Sequence, residues 1–486
     1  MAPFLRSSKA LQQEGVYIGG WSFRNVLTPK KSAGVHSSAE DTVERNAVEQ
    51  DWTAEEERAL VRKLDLRVLF PCCIVYFLAY LDRANLGNVR ILEEETPDGL
   101  EESLRLHGTD FNWAVSITYF AVTALLIPSN LLMKKISAKN FFPLVMILWG
   151  TIVMSISSVK SAAGLLAARF MLGIPESGVV PCCVLYFSFW YKPSERSFRL
   201  GVFHSANALA SAVSGLLAIA MNHLNGHGGL KAWQWVFLIE GALPIGLSVV
   251  VYFLLLRFPE TSTALTERQR YIAIHRFGRG STRKTDVTWS WPAFIRIFSR
   301  PSTYVFFVSY VSLCIVCVAQ ATFLPTILSS FLKFSVTKSN LYTAVCNLTV
   351  LPLYWIWPFH SDWTRERMWH YIFPVLCSIP GYAVWTYASA HPDNGISNIA
   401  LYGMAFLGQM VLISQPVVLS YRSSTLYGAA EQAVGGAAAV ASLSIASILG
   451  MHHVAHCRLV DSHKQAPRYT PSGTAHATTK ASWRRV

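Results

Sequence analysis

The sequence predicts an all-α membrane protein built from two helical bundles. Three observations point that way. Apolar runs of about bilayer length recur along the chain, charge is confined to short stretches between them, and one long basic segment divides the runs into a group of six and a group of five. Hydrophobic residues make up 52% of the 486 positions and charged residues only 15%, against roughly 25% charged in a soluble domain. A run of ~20 apolar residues spans the hydrocarbon core as a helix. Inside lipid a helix satisfies all of its own backbone hydrogen bonds.

The elements follow in order. Residues 1–65 form a polar tail with no apolar core of signal-peptide type, so the first span serves as its own insertion signal. Thr53 and Glu56 have the spacing of a capping box opening a short charged helix over Glu55–Lys63, expected at the membrane surface. Spans are predicted near 67–88, 111–132, 141–159, 162–187, 200–221 and 236–256, giving a six-helix bundle over 66–257. A basic segment, 258–300, is read as a central loop. Further spans near 303–324, 341–358, 371–389, 397–419 and 429–450 give a second bundle over 301–450, and 451–486 is a polar tail.

Loop charge sets the expected orientation. Lys134, Lys135 and Lys139 follow the second span, and Lys192, Arg196 and Arg199 the fourth. The central loop holds Arg257, Arg268, Arg270, Arg276, Arg279, Arg283 and Lys284, and Arg365 and Arg367 follow the eighth span. The opposite loops are poor in Lys and Arg, and Glu93, Glu94 and Glu95 make the first of them acidic. Positive loops stay cytoplasmic, which places the N-terminus and central loop inside. Two groups of spans around a long cytoplasmic loop is the layout of a two-halved transporter, with its site near the midplane between the halves. An eleventh crossing would put the basic tail after Gly450 outside, against the rule that the other loops obey. The expectation is therefore a twelve-span plan of which eleven are apparent, with a truncated or mis-spliced end.

Other function classes find little support. The formal net charge of +13 suits loop asymmetry better than nucleic acid, since neither zinc-finger spacing nor a groove-length basic helix is present. Gly278 to Lys284 lacks the spacing and the preceding strand of a phosphate loop. Cys314 and Cys317 form a lone Cys-x-x-Cys at mid-span, and His452, His453, His456 and Cys457 cluster where the transporter pattern is lost; both are read as packing or accident rather than metal sites. No cofactor and no enzymatic activity are expected, and the partners expected are lipid and a small molecule.

Ionisable residues within spans cost at least ~2.5–3.5 kcal/mol at the helix centre, so they mark candidate sites. Asp82 and Arg83 lie near the outer end of the first span; Arg169 and Glu176, seven apart, share one face of the fourth. Pro175 loosens the backbone beside Glu176. Glu240, which begins the sixth span, is read as structural, and Trp149, Trp190 and Trp235 as belt or packing residues.

A family resemblance rests on several runs. They are Lys63-Leu64-Asp65-Leu66-Arg67, Leu81-Asp82-Arg83-Ala84-Asn85-Leu86-Gly87-Asn88, and Arg169-Phe170 through Gly178. Ser188-Phe189-Trp190-Tyr191-Lys192-Pro193-Ser194-Glu195-Arg196, Trp233 through Gly241 and Phe323-Leu324-Pro325-Thr326-Ile327 continue the series. In this order and spacing, over about 50 to 450, the chain resembles the fungal allantoate permease branch of the anion:cation symporters, within the major facilitator superfamily. The resemblance implies twelve helices in two pseudo-symmetric bundles, a monomer, alternating access, and proton-driven uptake of organic anions such as allantoate, nicotinate, pantothenate or biotin, most simply at the plasma membrane. By position it implies Asp82 and Glu176 as proton carriers, Arg83 as partner of a substrate carboxylate, and Arg169 as a further candidate. Tyr119, Asn207 and Gln320 are candidate substrate contacts on neighbouring spans.

The chain departs from that pattern in places. Trp363 follows Ser361-Asp362 where an arginine is common, Gln234 stands between two tryptophans in place of an arginine, and Ala466 to Pro471 resembles the loop that precedes a twelfth helix. Two other readings stay open from sequence: an exporter of a secondary metabolite, and an inactive or sensing homologue.

Overall fold

The computed structural model describes residues 51–91, 97–107, 110–277, 291–328, 332, 334–391, 396–426, 431, 434–436 and 438–449, and all regular structure among them is helical. Helix α1 (Ala54–Leu64) runs through a π-helical turn at Asp65–Leu69 into α2 (Phe70–Ile91). A short α3 (Leu100–Leu104) precedes α4 (Asp110–Ile136), α5 (Ala138–Ile156), α6 (Ala162–Glu176), α7 (Val179–Trp190), α8 (Pro193–Asn222) and α9 (Ala232–Leu254). Then come α10 (Glu267–His275), α11 (Trp291–Phe298), α12 (Pro301–Thr326), α13 (Val336–Thr364), α14 (Met368–Ala390), α15 (Asn398–Gln409) and α16 (Ser414–Ser424). Residues 434–449 hold a further apolar helix.

Eight helices among the described residues are long and apolar enough to cross a membrane. α13 and α14 are 29 and 23 residues long but carry more polar side chains, so eleven crossings do not emerge by that measure. Large apolar side chains face outward from the spans, among them Val249, Val250 and Phe253 on α9 and Val305 and Val308 on α12. Faces of this kind mark contact with lipid rather than water. The acidic run Glu93–Glu95, the segment Gly278 to Lys284 and everything from Gly450 onward, including the histidine cluster, lie outside the described residues.

Local chemistry sets several boundaries. Thr53 Oγ1 accepts from the Glu56 N–H at 3.2 Å, and the Thr53 N–H donates to the Glu56 carboxylate at 2.8 Å, the expected capping box. That helix does not stand apart at the surface, because it continues into α2. The central loop is also more ordered than a loop: Thr266 caps α10 through the Gln269 N–H. Arg268 binds Asp51 at 2.9 Å and Glu56 at 3.2 Å, and Lys192 binds Glu57 at 2.5 Å. Solvent-exposed pairs contribute little to stability, so the Arg268 pairs orient α10 against α1, and the Lys192 pair ties the turn before α8 to α1, more than they hold the fold.

Small residues let the spans approach. Gly150 of α5 and Gly241 of α9 face one another, and a Cβ added to either would come within 2.5 Å of the other's carbonyl oxygen. Close backbone approach of this kind drives helix packing in lipid, where no hydrophobic force acts between spans. α8 plays a double part, packing on α2 in the first half and along α13 of the second.

Two placements differ from the sequence reading. The fourth apolar run breaks at Ser177 and Gly178 into α6 and α7, because Pro181 has no N–H to offer the Ser177 carbonyl one turn back and its ring crowds that carbonyl. α9 starts at Ala232, earlier than expected, so Glu240 lies more than two turns inside its helix rather than at its beginning.

Candidate functional site

Glu176 ends α6, and Arg83 lies two-thirds of the way along α2. Arg83 donates from Nε at 2.9 Å and from Nη2 at 2.8 Å, both to Glu176 Oε2. Glu176 Oε1 is buried without a hydrogen-bond partner. The Arg83 guanidinium also lies 5.4 Å from the Tyr80 ring centre and 5.8 Å from that of Tyr119. Aromatic faces stabilise a cation at such distances.

Behind this pair is a buried charge cluster. Asp82 is 2% exposed, Arg169 4% and Glu240 1%. Arg169 lies within electrostatic reach of Glu176, Asp82 and Glu240, and its guanidinium stacks 5.5 Å from the Phe237 ring centre. Asp82 Oδ2, both oxygens of Glu240, and Arg169 Nε and Nη2 have no hydrogen-bond partner. Three carboxylates (Asp82, Glu176, Glu240) thus face two guanidiniums (Arg83, Arg169). A buried acid in excess of its cations is held cheaply only by taking up a proton.

On the other side of Arg83 lies a cavity of about 100 Å³ between the two halves. The first half contributes Tyr80, Arg83, Asn88, Tyr119, Asn207 and Ser214; the second contributes Asn340, Thr343, Asn347 and Gln415. Among the described residues lining it, Arg83 is the one charged side chain. Asn88 Nδ2 donates to Ser214 Oγ at 2.8 Å, and Asn347 Oδ1 accepts from Gln409 Nε2 at 3.3 Å. Both side-chain polar atoms of Asn340 are buried and unpartnered. A cation ringed by amides and hydroxyls is a site that accepts an anion and hydrogen-bonds its remainder.

The halves close against each other at the end where α1 and α10 lie. Asp362, near the end of α13, accepts the Phe198 N–H of α8 at 2.7 Å and Arg367 Nη2 at 2.5 Å. The partner arginine of Asp362 is therefore Arg367, which explains how Trp363 is tolerated in the next position. Arg196 Nη1 donates to Ser423 Oγ at 2.9 Å, and Trp355 Nε1 donates to Ser205 Oγ at 3.1 Å. Any Cβ on Gly201 would strike the Tyr354 carbonyl oxygen, so the two helices touch backbone to backbone there. Gln234 in turn links elements inside the first half, donating to the Ser157 carbonyl at 2.7 Å and accepting the Lys231 N–H at 2.8 Å.

Of the residues selected from sequence, Arg83, Tyr119 and Asn207 line the cavity, while Asp82, Glu176 and Arg169 form the cluster behind it. Arg169 is deeply buried, two turns into α6. Gln320 is not at the cavity; it accepts from the Tyr382 hydroxyl at 3.1 Å inside the second half. Arg83 and Glu176, assigned separate roles, are each other's partners. Glu240, read from sequence as structural, joins the buried cluster, and the second-half amides line the cavity without having been selected. For Glu240 the signal was available, a carboxylate in an apolar span, but the helix start was misplaced. Asn340, Thr343 and Gln415 carry no charge and gave no comparable signal.

Similarity to known proteins agrees with this architecture. A family profile described as Major Facilitator Superfamily matches residues 72–451. The chain is 36% identical to MFS transporter prlL of a fungal species over 52% of this chain, spanning about half (53%) of that relative. It is 31% identical to the major facilitator-type transporter hxnP of Emericella nidulans, over 72% of this chain and 70% of the relative. A proposed tartrate transporter of Agrobacterium vitis is 29% identical over 69% of this chain and 75% of its own length. Among solved structures, the proton:xylose symporter XylE superposes with a TM-score of 0.62 at 12% identity, covering 82% of this chain and 90% of that one.

Proposed function

This chain belongs to the Major Facilitator Superfamily, and we propose that it is a secondary transporter that carries a small organic anion together with protons. The observation that carries this reading is the double engagement of Arg83, which lines the cavity and also grips Glu176. A substrate carboxylate on the cavity side and the Glu176 carboxylate compete for one guanidinium. Protonating Glu176 removes its claim and frees Arg83 for the anion. Releasing the proton restores the internal pair and expels the anion. Proton and anion then travel together, because each makes room for the other.

Asp82 and Glu240 extend this logic. With three carboxylates facing two guanidiniums, the empty site holds buried negative charge that resists rocking of the halves. Uptake of two protons with one monoanion, one on Glu176 and one on Asp82 or Glu240, brings the loaded site to neutrality and lowers that barrier. The relative carrying the tartrate name supports an anionic cargo, and the positive charge of Arg83 at the cavity favours the same. The resemblance to the allantoate permease branch fits this reading, with the N-terminus and α10 on the cytoplasmic side and, by the same family resemblance, the plasma membrane as its site. Export of a secondary metabolite is not favoured by any particular contact. The test is uptake of a panel of labelled organic acids into cells expressing the chain at several external pH values. Uptake of at least one acid that rises as external pH falls is expected; a panel moved equally at all pH values, or not at all, would refute the proposal.

A further inference from the structure

His204 of α8 is a buried imidazole that the coupling of Arg83 and Glu176 does not use. It is 3% exposed and sits within an apolar span, where an ionisable side chain marks function by default. Its Nδ1 lies 3.2 Å from the Tyr76 hydroxyl, and its Nε2 is buried with no partner. Tyr76 in turn packs edge to face on Tyr80, with ring centres 4.7 Å apart. Tyr80 lines the cavity. Tyr80, Tyr76 and His204 thus follow one another inward from the cavity, the two tyrosine rings in edge contact and the Tyr76 hydroxyl hydrogen-bonded to the imidazole.

The far end of this file has a definite position. Next to His204, Ser205 accepts from Trp355 across the seam between the halves, and Gly201, one turn back, abuts the Tyr354 carbonyl. Facing His204 and Tyr76 are Phe203 on α8, Tyr310 on α12 and Tyr354 on α13, whose own hydroxyl is unpartnered. Among the described residues no hydrogen bond or ion pair joins His204 to a charged group. Parting the halves at this end would wet the unpartnered Nε2 while the Nδ1 side remains tied to Tyr76.

Resting on the proton-coupled reading above, we propose that His204 is the proton-release station of the transporter, connected to the cavity by Tyr80 and Tyr76. The step balances as a relay. Tyr76 gives its hydroxyl proton to His204 Nδ1 and regains one from Tyr80, which draws on cavity water. The resulting imidazolium loses its Nε2 proton to water on the opened side, and a tautomer shift resets the ring. No oxidant or further reactant is needed.

The experiment uses the purified full chain in proteoliposomes with an entrapped pH dye and labelled tartrate, nicotinate and pantothenate as probe anions. Two rates are read for each anion that the wild type moves: pH-gradient-driven accumulation, and anion-for-anion counterflow, which needs no net proton release. His204→Gln keeps a hydrogen-bonding partner for Tyr76, and Tyr76→Phe keeps the stack on Phe203. Each variant is expected to lower accumulation about a hundredfold or more, the lower range for loss of a positioned proton carrier, with counterflow largely kept. Accumulation retained in full by both variants would overturn this inference alone. Equal loss of accumulation and counterflow would also overturn it, as a packing role. Wild-type transport of the anions without proton movement, or no transport at all, would instead overturn the proton-coupled reading.

Discussion

Arg83 holds Glu176 by two nitrogens on a single oxygen, at 2.9 and 2.8 Å, and leaves the second carboxylate oxygen bare in a buried site. The residues are 93 positions apart and come from different spans. A grip this complete on one oxygen makes Glu176 sensitive to whatever else Arg83 touches, and Arg83 touches the cavity.

Removing the guanidinium tests that sharing. Arg83→Ala deletes the one charge lining the cavity among the described residues and strands the Glu176 carboxylate, a loss of about 3–5 kcal/mol for a buried pair. The expected result is a KM for the anion raised by about tenfold or more together with a lower melting temperature. Arg83→Lys restores charge without the paired N–H geometry and should recover stability better than KM. Uptake kinetics and thermal melting of the same detergent preparations check both.

Glu176→Gln imitates the protonated acid. It should flatten the dependence of uptake on external pH and abolish accumulation driven by a pH gradient, while anion exchange persists. Accumulation at low external pH equal to the wild type would remove Glu176 from the coupling.

Gly201 sets how tightly the closed end shuts. Gly201→Val must push α8 from the Tyr354 carbonyl and from Pro358. The population should shift toward the state open at that end. A cysteine placed at Ser423, across from Arg196, should then react faster with a membrane-impermeant maleimide in the valine variant. An unchanged rate would show that the seam yields without opening.

Much of the architecture was legible because lipid leaves the backbone so few choices. An apolar run of bilayer length has to be a helix, and a charge within it is expensive enough to stand out. That is how Asp82, Arg83, Arg169 and Glu176 were found. Pairing was not legible, because nothing in the linear order says that residue 83 meets residue 176. Depth was also lost: taking 236 as the start of a helix that begins at Ala232 moved Glu240 from the interior to an edge. Uncharged amides were invisible for the opposite reason, as Asn340 costs little to bury and so advertises little. Gln320 shows the limit of reading polarity alone, since its side chain meets Tyr382 away from the residues that line the cavity. His204 carried a readable signal, a lone imidazole in an apolar span.

The glycine crossing in the first half gives a paired stability test. Gly241→Ala places a methyl within 2.5 Å of the Gly150 carbonyl, whereas Gly246→Ala on the same helix meets nothing within 4 Å. The first should lower the melting temperature in detergent. The second should hold or raise it, because alanine gains about 0.5–1 kcal/mol over glycine in a helix interior.

The most direct test of the account is simultaneous measurement of anion and proton flux in proteoliposomes holding the wild type and Glu176→Gln. An inward pH gradient imposed without any anion gradient should drive wild-type anion accumulation, with protons entering in fixed proportion, and should drive none in the variant. Anion flux that ignores the pH gradient in the wild type, or equal coupled flux in both proteins, would contradict it.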